Sequence, residues 1–151
     1  MAPRQMSSDP DRFPIEAEIV PLVFAFHTLG VCRPCWSCEG HLDSTGGILR
    51  PPQVWFYSDT VFYPRLVEEH LAALRIKRRI ENDWRVSVTV AEVDNPSTTF
   101  SLAPRAPETD TAEGLASLRR DAATIADGLF EGVRAAARTF LRSIENRLHT
   151  A

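Results

Sequence analysis

"WRVSVTVAEVDNPSTTFSL", Trp84 to Leu102, decides the fold class. Trp84, Val86, Val88 and Val90 alternate with Arg85, Ser87, Thr89 and Ala91, the period-two pattern of a strand with one buried face. "VDNPS", Val93 to Ser97, is turn chemistry, and Thr98, Phe100 and Leu102 alternate again. The economical reading is an antiparallel hairpin.

Upstream, "QVWFYS", Gln53 to Ser58, is an unbroken apolar, β-branched and aromatic run, suited to a strand buried on both faces. Between it and the hairpin, Pro64 opens a helix reaching about Glu81, with Val67, Leu71 and Leu74 at helical spacing and the basic end "RIKRR" complementing the helix dipole. An earlier helix starts near Pro14, carries Ile15, Ile19, Leu22, Val23 and Phe26 on one face, and stops at Gly30. Pro21 either kinks this helix or marks its true first turn.

Downstream of the proline-rich "APRAPETD", one long helix runs from about Thr111 to Leu148. Its apolar stripe passes through Leu115, Leu118, Ala122, Ile125, Leu129, Val133, Ala137, Phe140, Ile144 and Leu148, with a mean step nearer the ordinary helix period than a heptad. Such a stripe packs along a sheet or a partner subunit. The whole order predicts an α+β fold, a mixed or mostly antiparallel sheet of about four strands packed by helices, with a long C-terminal helix.

At 151 residues, with 44% hydrophobic and 25% charged residues, the chain suits a flexible tail over 1–12 and a single domain over 13–151. A net charge of −3 supplies no overall attraction to nucleic acid or anionic lipid. The longest apolar run, Ile19 to Phe26, falls far short of the roughly 20 residues of a membrane span, and no signal-peptide core follows Arg4. A cytoplasmic protein without a membrane partner is expected.

Chemistry concentrates in "GVCRPCWSCEGHLD", Gly30 to Asp43, where Cys32, Cys35, Cys38 and His41 recur at every third position. By count these four supply a Cys3His zinc set, although structural zinc sites usually join two knuckles across a loop. The compact Cys-x2-Cys-x2-Cys run also resembles an iron–sulfur pattern lacking its fourth ligand. Glu39, His41 and Asp43 would share a face in an extended chain and form a second candidate ligand set. "CRPC" has the form of a thiol–disulfide motif, but three glycines in the following dozen residues speak against the helix that would activate it. Cys38 and His41 are near enough to pair as nucleophile and base, and buried thiols serving only as small hydrophobes remain an alternative.

The string from Ile19 to His41, "IVPLVFAFHTLGVCRPCWSCEGH", resembles the helix, strand and Ser-Cys-Ser-Gly-Arg arrangement of the wybutosine-synthesising tRNA methyltransferase family. It is similar also to bacterial proteins carrying a Ser-Cys-x-Gly-His loop ahead of an apolar strand, and the likeness extends from Ile19 to Ser58. The resemblance implies a loop that handles S-adenosylmethionine and a modified guanosine of tRNA. Ser37, Cys38 and Gly40 match by identity, and Glu39 and His41 stand at the variable and basic positions. His41 replaces an arginine, and imidazole is mostly neutral at pH 7. Physically, Ser-Cys-x-Gly can form a cradle whose backbone N–H groups hold an anion, or simply a tight turn needing glycine.

The leading expectation is thus a small-molecule site at Ser37, Glu39, Gly40 and His41, with Ser37, Cys38 and His41 as the catalytic candidates if the protein is an enzyme. The alternatives are an S-adenosylmethionine-dependent tRNA-modifying enzyme and a zinc- or iron-binding interaction module that forms a homodimer through its last helix. Gly128 and Gly132, one turn apart, would serve that dimer or plain internal packing, and Arg134, Arg138 and Arg142 form a row on one helix face.

Overall fold

A computed structural model describes residues 15–89, 98–106 and 109–150. The expected tail and the "VDNPS" turn lie outside these residues. The elements are a 3-10 turn (Ala17–Ile19), α1 (Val20–Leu29), β1 (Arg33–Cys38), β2 (His41–Leu42), β3 (Ile48–Arg50), β4 (Gln53–Tyr57), α2 (Phe62–Ile76), β5 (Trp84–Thr89), β6 (Thr99–Pro104) and α3 (Ala112–His149). Four strands form one sheet in the order β1-β4-β6-β5, every pair antiparallel, and β2 and β3 form a separate small hairpin. The α+β architecture read from the sequence is the one observed.

Alternation along the central strand β4 divides the two faces. Val54 and Phe56 join the main core with Phe100 and Leu102 of β6 and the apolar faces of all three helices. Trp55 and Tyr57 point the other way and pack with Cys35 and Trp36. Both faces of β4 are therefore covered, as its unbroken apolar run demands. The edge strand β5 is covered less completely than its alternation suggested: Trp84 is fully buried, but Val88 is 68% exposed. Alternation identifies a face without showing how far its cover extends.

Helix boundaries have local causes. Pro21 lies in the first turn of α1, where its missing N–H costs nothing, so the helix begins later than the apolar spacing implied. Gly30 ends it in the left-handed conformation at φ 72°. At the start of α2, Thr60 Oγ1 accepts the Phe62 N–H at 2.8 Å. α2 ends at Ile76, short of the expected Glu81, because Arg78 turns left-handed at φ 53° and Arg79 N–H returns to the Leu74 carbonyl. Thr111 caps α3 by accepting the Gly114 N–H.

The last buried residue of the long helix is Val133. Beyond it Phe140 meets the Phe62 ring at 4.8 Å, while Leu141 and Leu148 are exposed. Gly128 and Gly132 face the buried His70 ring: a Cβ at Gly128 would stand 3.2 Å from its Cε1, and one at Gly132 would run into the ring. These glycines serve packing inside the chain, one of the two uses the sequence offered for them. Arg134 pairs with Glu131 one turn earlier, and the arginine row lies in solvent. Among the described residues no helix is long and apolar enough to cross a membrane.

Candidate metal centre

The cysteine ladder is split by β1, which begins just after Cys32 and carries Cys35 and Cys38 to different surroundings. Cys32 sits in the main core beneath the helices, whereas Cys35, at the bulge between Pro34 and Trp36, belongs to the cluster on the opposite face. Burial pushes the Cys32 thiol up to about 12, so it stays protonated at neutral pH. The Cys3His set of Cys32, Cys35, Cys38 and His41 is therefore not assembled, nor is a Cys32–Cys35 redox pair or a three-cysteine cluster. A strand displays residues to alternate sides and cannot curl three spaced thiols around one ion.

Cys38 and His41 do come together, and a residue that sequence spacing did not single out joins them. Glu16, just before the 3-10 turn, places a carboxylate oxygen 2.7 Å from His41 Nε2. One donor atom from each of Glu16, Cys38 and His41 lies within 4.8 Å of the other two. Cys38 is buried, while the side chains of Glu16 and His41 are 38% and 43% exposed, so the cluster opens toward solvent on one side.

The loop between Cys38 and His41 is held from three directions. Gly40 adopts φ 87°, and a Cβ there would stand 2.6 Å from Leu115 Cδ1 and 2.9 Å from Pro52 Cδ, so conformation and packing both require glycine. Arg119, from α3, donates to the carbonyls of Glu39 at 3.0 Å and Gly40 at 2.9 Å. With the carbonyls turned to Arg119, the N–H groups face the cluster: Glu39 N–H donates to Glu16 Oε2 at 2.8 Å, and Gly40 N–H approaches Cys38 Sγ at 3.4 Å. One N–H of the loop, that of Glu39, meets an anion, and that anion is the chain's own Glu16.

The remaining candidates have other partners. The Glu39 carboxylate accepts the Glu18 N–H at 3.0 Å and lies near Arg119. Asp43 accepts the Thr45 hydroxyl and N–H and the Gly47 N–H, bonds that lower its pKa and fix the turn of the β2–β3 hairpin. Glu39 and Asp43 thus do not join His41 in a ligand set. Ser37 pairs with Val54 across the sheet, one position before Cys38, and alternation sends its side chain to the face opposite the thiol.

Burial raises the Cys38 pKa, and the nearby Glu16 carboxylate adds to the rise; the Gly40 N–H and the Arg50 guanidinium act against it. As a bare thiol beside a carboxylate, Cys38 is a weak nucleophile. A divalent cation would reverse the balance, because the charge that opposes ionisation next to Glu16 would be offset by the ion itself. Compared with known proteins, the chain matches no family model, no curated protein and no solved structure.

Proposed function

We propose that the protein binds a divalent transition-metal ion, zinc foremost, through Glu16, Cys38 and His41. The observation that carries this reading is the convergence of a carboxylate, a thiol and an imidazole within 4.8 Å, from segments more than twenty residues apart. Ligand atoms on one tetrahedral zinc stand about 3.5 Å apart, so closure needs only small side-chain shifts. Mixed O, N and S donors suit zinc, and the oxygen-only preference of calcium or magnesium argues against those ions. The backbone bonds from Glu39 to Glu16 and from Gly40 to Cys38 would orient two of the three ligands, the task of outer-shell groups in metal sites.

Three protein ligands would leave a tetrahedral ion one further position for water or a small molecule. This keeps the small-ligand reading of the Ser37–His41 loop, with the ion as the element that binds it. The N–H groups that a Ser-Cys-x-Gly cradle would turn toward a ligand are taken up by Glu16 and Cys38.

The test is metal analysis of protein purified without a histidine tag, followed by cobalt substitution. The expected result is near-stoichiometric zinc and a thiolate-to-cobalt charge-transfer band that Cys38→Ser abolishes and Cys35→Ser leaves intact. Protein that takes up neither ion, or a band that survives in Cys38→Ser, would defeat the proposal.

A further inference from the structure

A second site lies far along the chain from the metal cluster, in a groove of about 660 Å3 between α2 and α3. Its walls are largely apolar, with Phe62 and Leu74 from α2 and Ala136 and Phe140 from α3, and the Phe62 and Phe140 rings meet at 4.8 Å. This size falls within the roughly 300–1,000 Å3 of ordinary small-molecule sites. At the floor stands His70, only 5% exposed.

The bonding of that imidazole defines what the groove can recognise. Nε2 lies 3.3 Å from the Ile125 carbonyl, and a carbonyl only accepts, so Nε2 carries the proton. Burial holds the ring's pKa down, against the bond to the Ile125 carbonyl and with a smaller contribution from Lys77, which keeps it neutral at pH 7. Nδ1 is then a bare acceptor. It has no hydrogen-bond partner among the described residues and occupies the notch left by the missing Cβ of Gly132, a residue that lines the same groove.

Seating this ring has a cost. Gly128 and Gly132 both lie against it, and each glycine within a helix is destabilising relative to alanine. Leucine at position 70 would occupy the space between the two helices without a desolvated imidazole. The histidine supplies what leucine lacks, an acceptor at the bottom of an apolar groove.

We propose that this groove binds a small, mainly aromatic or apolar molecule carrying a hydroxyl or N–H group, which donates a hydrogen bond to Nδ1 of His70. Apolar walls take the body of the ligand, and the imidazole selects its polar end. The charged residues at the rim, Arg65, Glu69, Lys77 and Glu131, are of mixed sign and select for no net charge.

The experiment compares 2-naphthol with 2-methylnaphthalene, which has the same body and no donor, by NMR of 15N-labelled protein. Expected are saturable 2-naphthol binding below millimolar concentration, a shift of the His70 imidazole nitrogens, and roughly tenfold weaker binding of the methyl analogue. His70→Phe should erase the difference between the probes. Ala73→Trp and Ala135→Trp, at exposed helical positions lining the groove, should block binding while leaving the melting curve in place. The proposal fails if neither probe saturates, if both bind equally to the parent protein, or if the tryptophan variants bind as before. It fails also if light scattering shows a dimer that Ala135→Trp splits, since a second copy would then cover the groove.

Discussion

Two carboxylates in this molecule perform the same mechanical task and differ in what else they touch. Asp121 of α3, 3% exposed, accepts the backbone N–H groups of Glu81 and Asn82, the Asn82 side-chain amide and the Trp84 indole, binding the turn before β5 to the helix. Glu16 likewise accepts a distant backbone N–H, that of Glu39, but its other oxygen faces His41 and it lies beside Cys38. Every partner of Asp121 is a donor fixed by the fold. Glu16 instead spends half its capacity on groups that can exchange a proton for a metal ion. A buried acid satisfied by donors alone is structural, whereas one that shares its surroundings with a thiol and an imidazole has chemistry to spare.

The largest effect should come from cutting the saturated carboxylate. Asp121→Ala removes the acceptor for four hydrogen bonds in a site with little room for water, at an expected cost of about 3–5 kcal/mol. Urea melts of parent and variant measure it. A cost below about 1 kcal/mol would show that the turn before β5 stands without Asp121 and that the contrast with Glu16 is misdrawn.

The cysteines repeat the contrast at smaller scale. Cys32 is held in the core, where burial pushes its thiol pKa up to about 12 from an ordinary 9.0. Its stabilising contribution is complete below pH 9 and is lost as pH rises from 9 toward 12, because the unfolded chain gives up that proton first. The slope is about 1.4 kcal/mol per pH unit for one proton. Alkaline melts of the parent should therefore steepen above pH 9 relative to Cys32→Val. Parallel curves would mean that Cys32 ionises as easily folded as unfolded.

How much of this was legible in the sequence follows from the range of each interaction. Strands β4 to β6 and helix α3 announce themselves through period and composition, because the face each residue presents follows from the local backbone period whatever comes to cover it. Gly40 was legible for the same reason, since its turn is local. The Glu16, Cys38 and His41 cluster was only half legible: Cys38 and His41 share a loop, but Glu16 is brought in by the packing of the N-terminal segment, and Arg119 by α3. Neither carries a spacing relation to the loop. The regular cysteine ladder misled for a physical reason as well, because a bulged strand sends residues three apart to different surroundings.

The smallest expected effect on folding is also the one that separates the two carboxylates most sharply. Glu16→Gln keeps an amide oxygen able to accept the Glu39 N–H, and its exposed position lets water serve the other groups, so metal-free protein should lose no more than about 1 kcal/mol. A neutral amide is a poor ligand beside a thiolate, however, and the variant should also lose the stabilisation that a bound ion gives the folded state. Denaturation with and without excess chelator distinguishes the two contributions: the parent should shift on chelation and Glu16→Gln should not. If the variant is instead as unstable as Asp121→Ala, and chelator moves neither protein, Glu16 is a second structural carboxylate and the chemistry assigned to its neighbours goes with it.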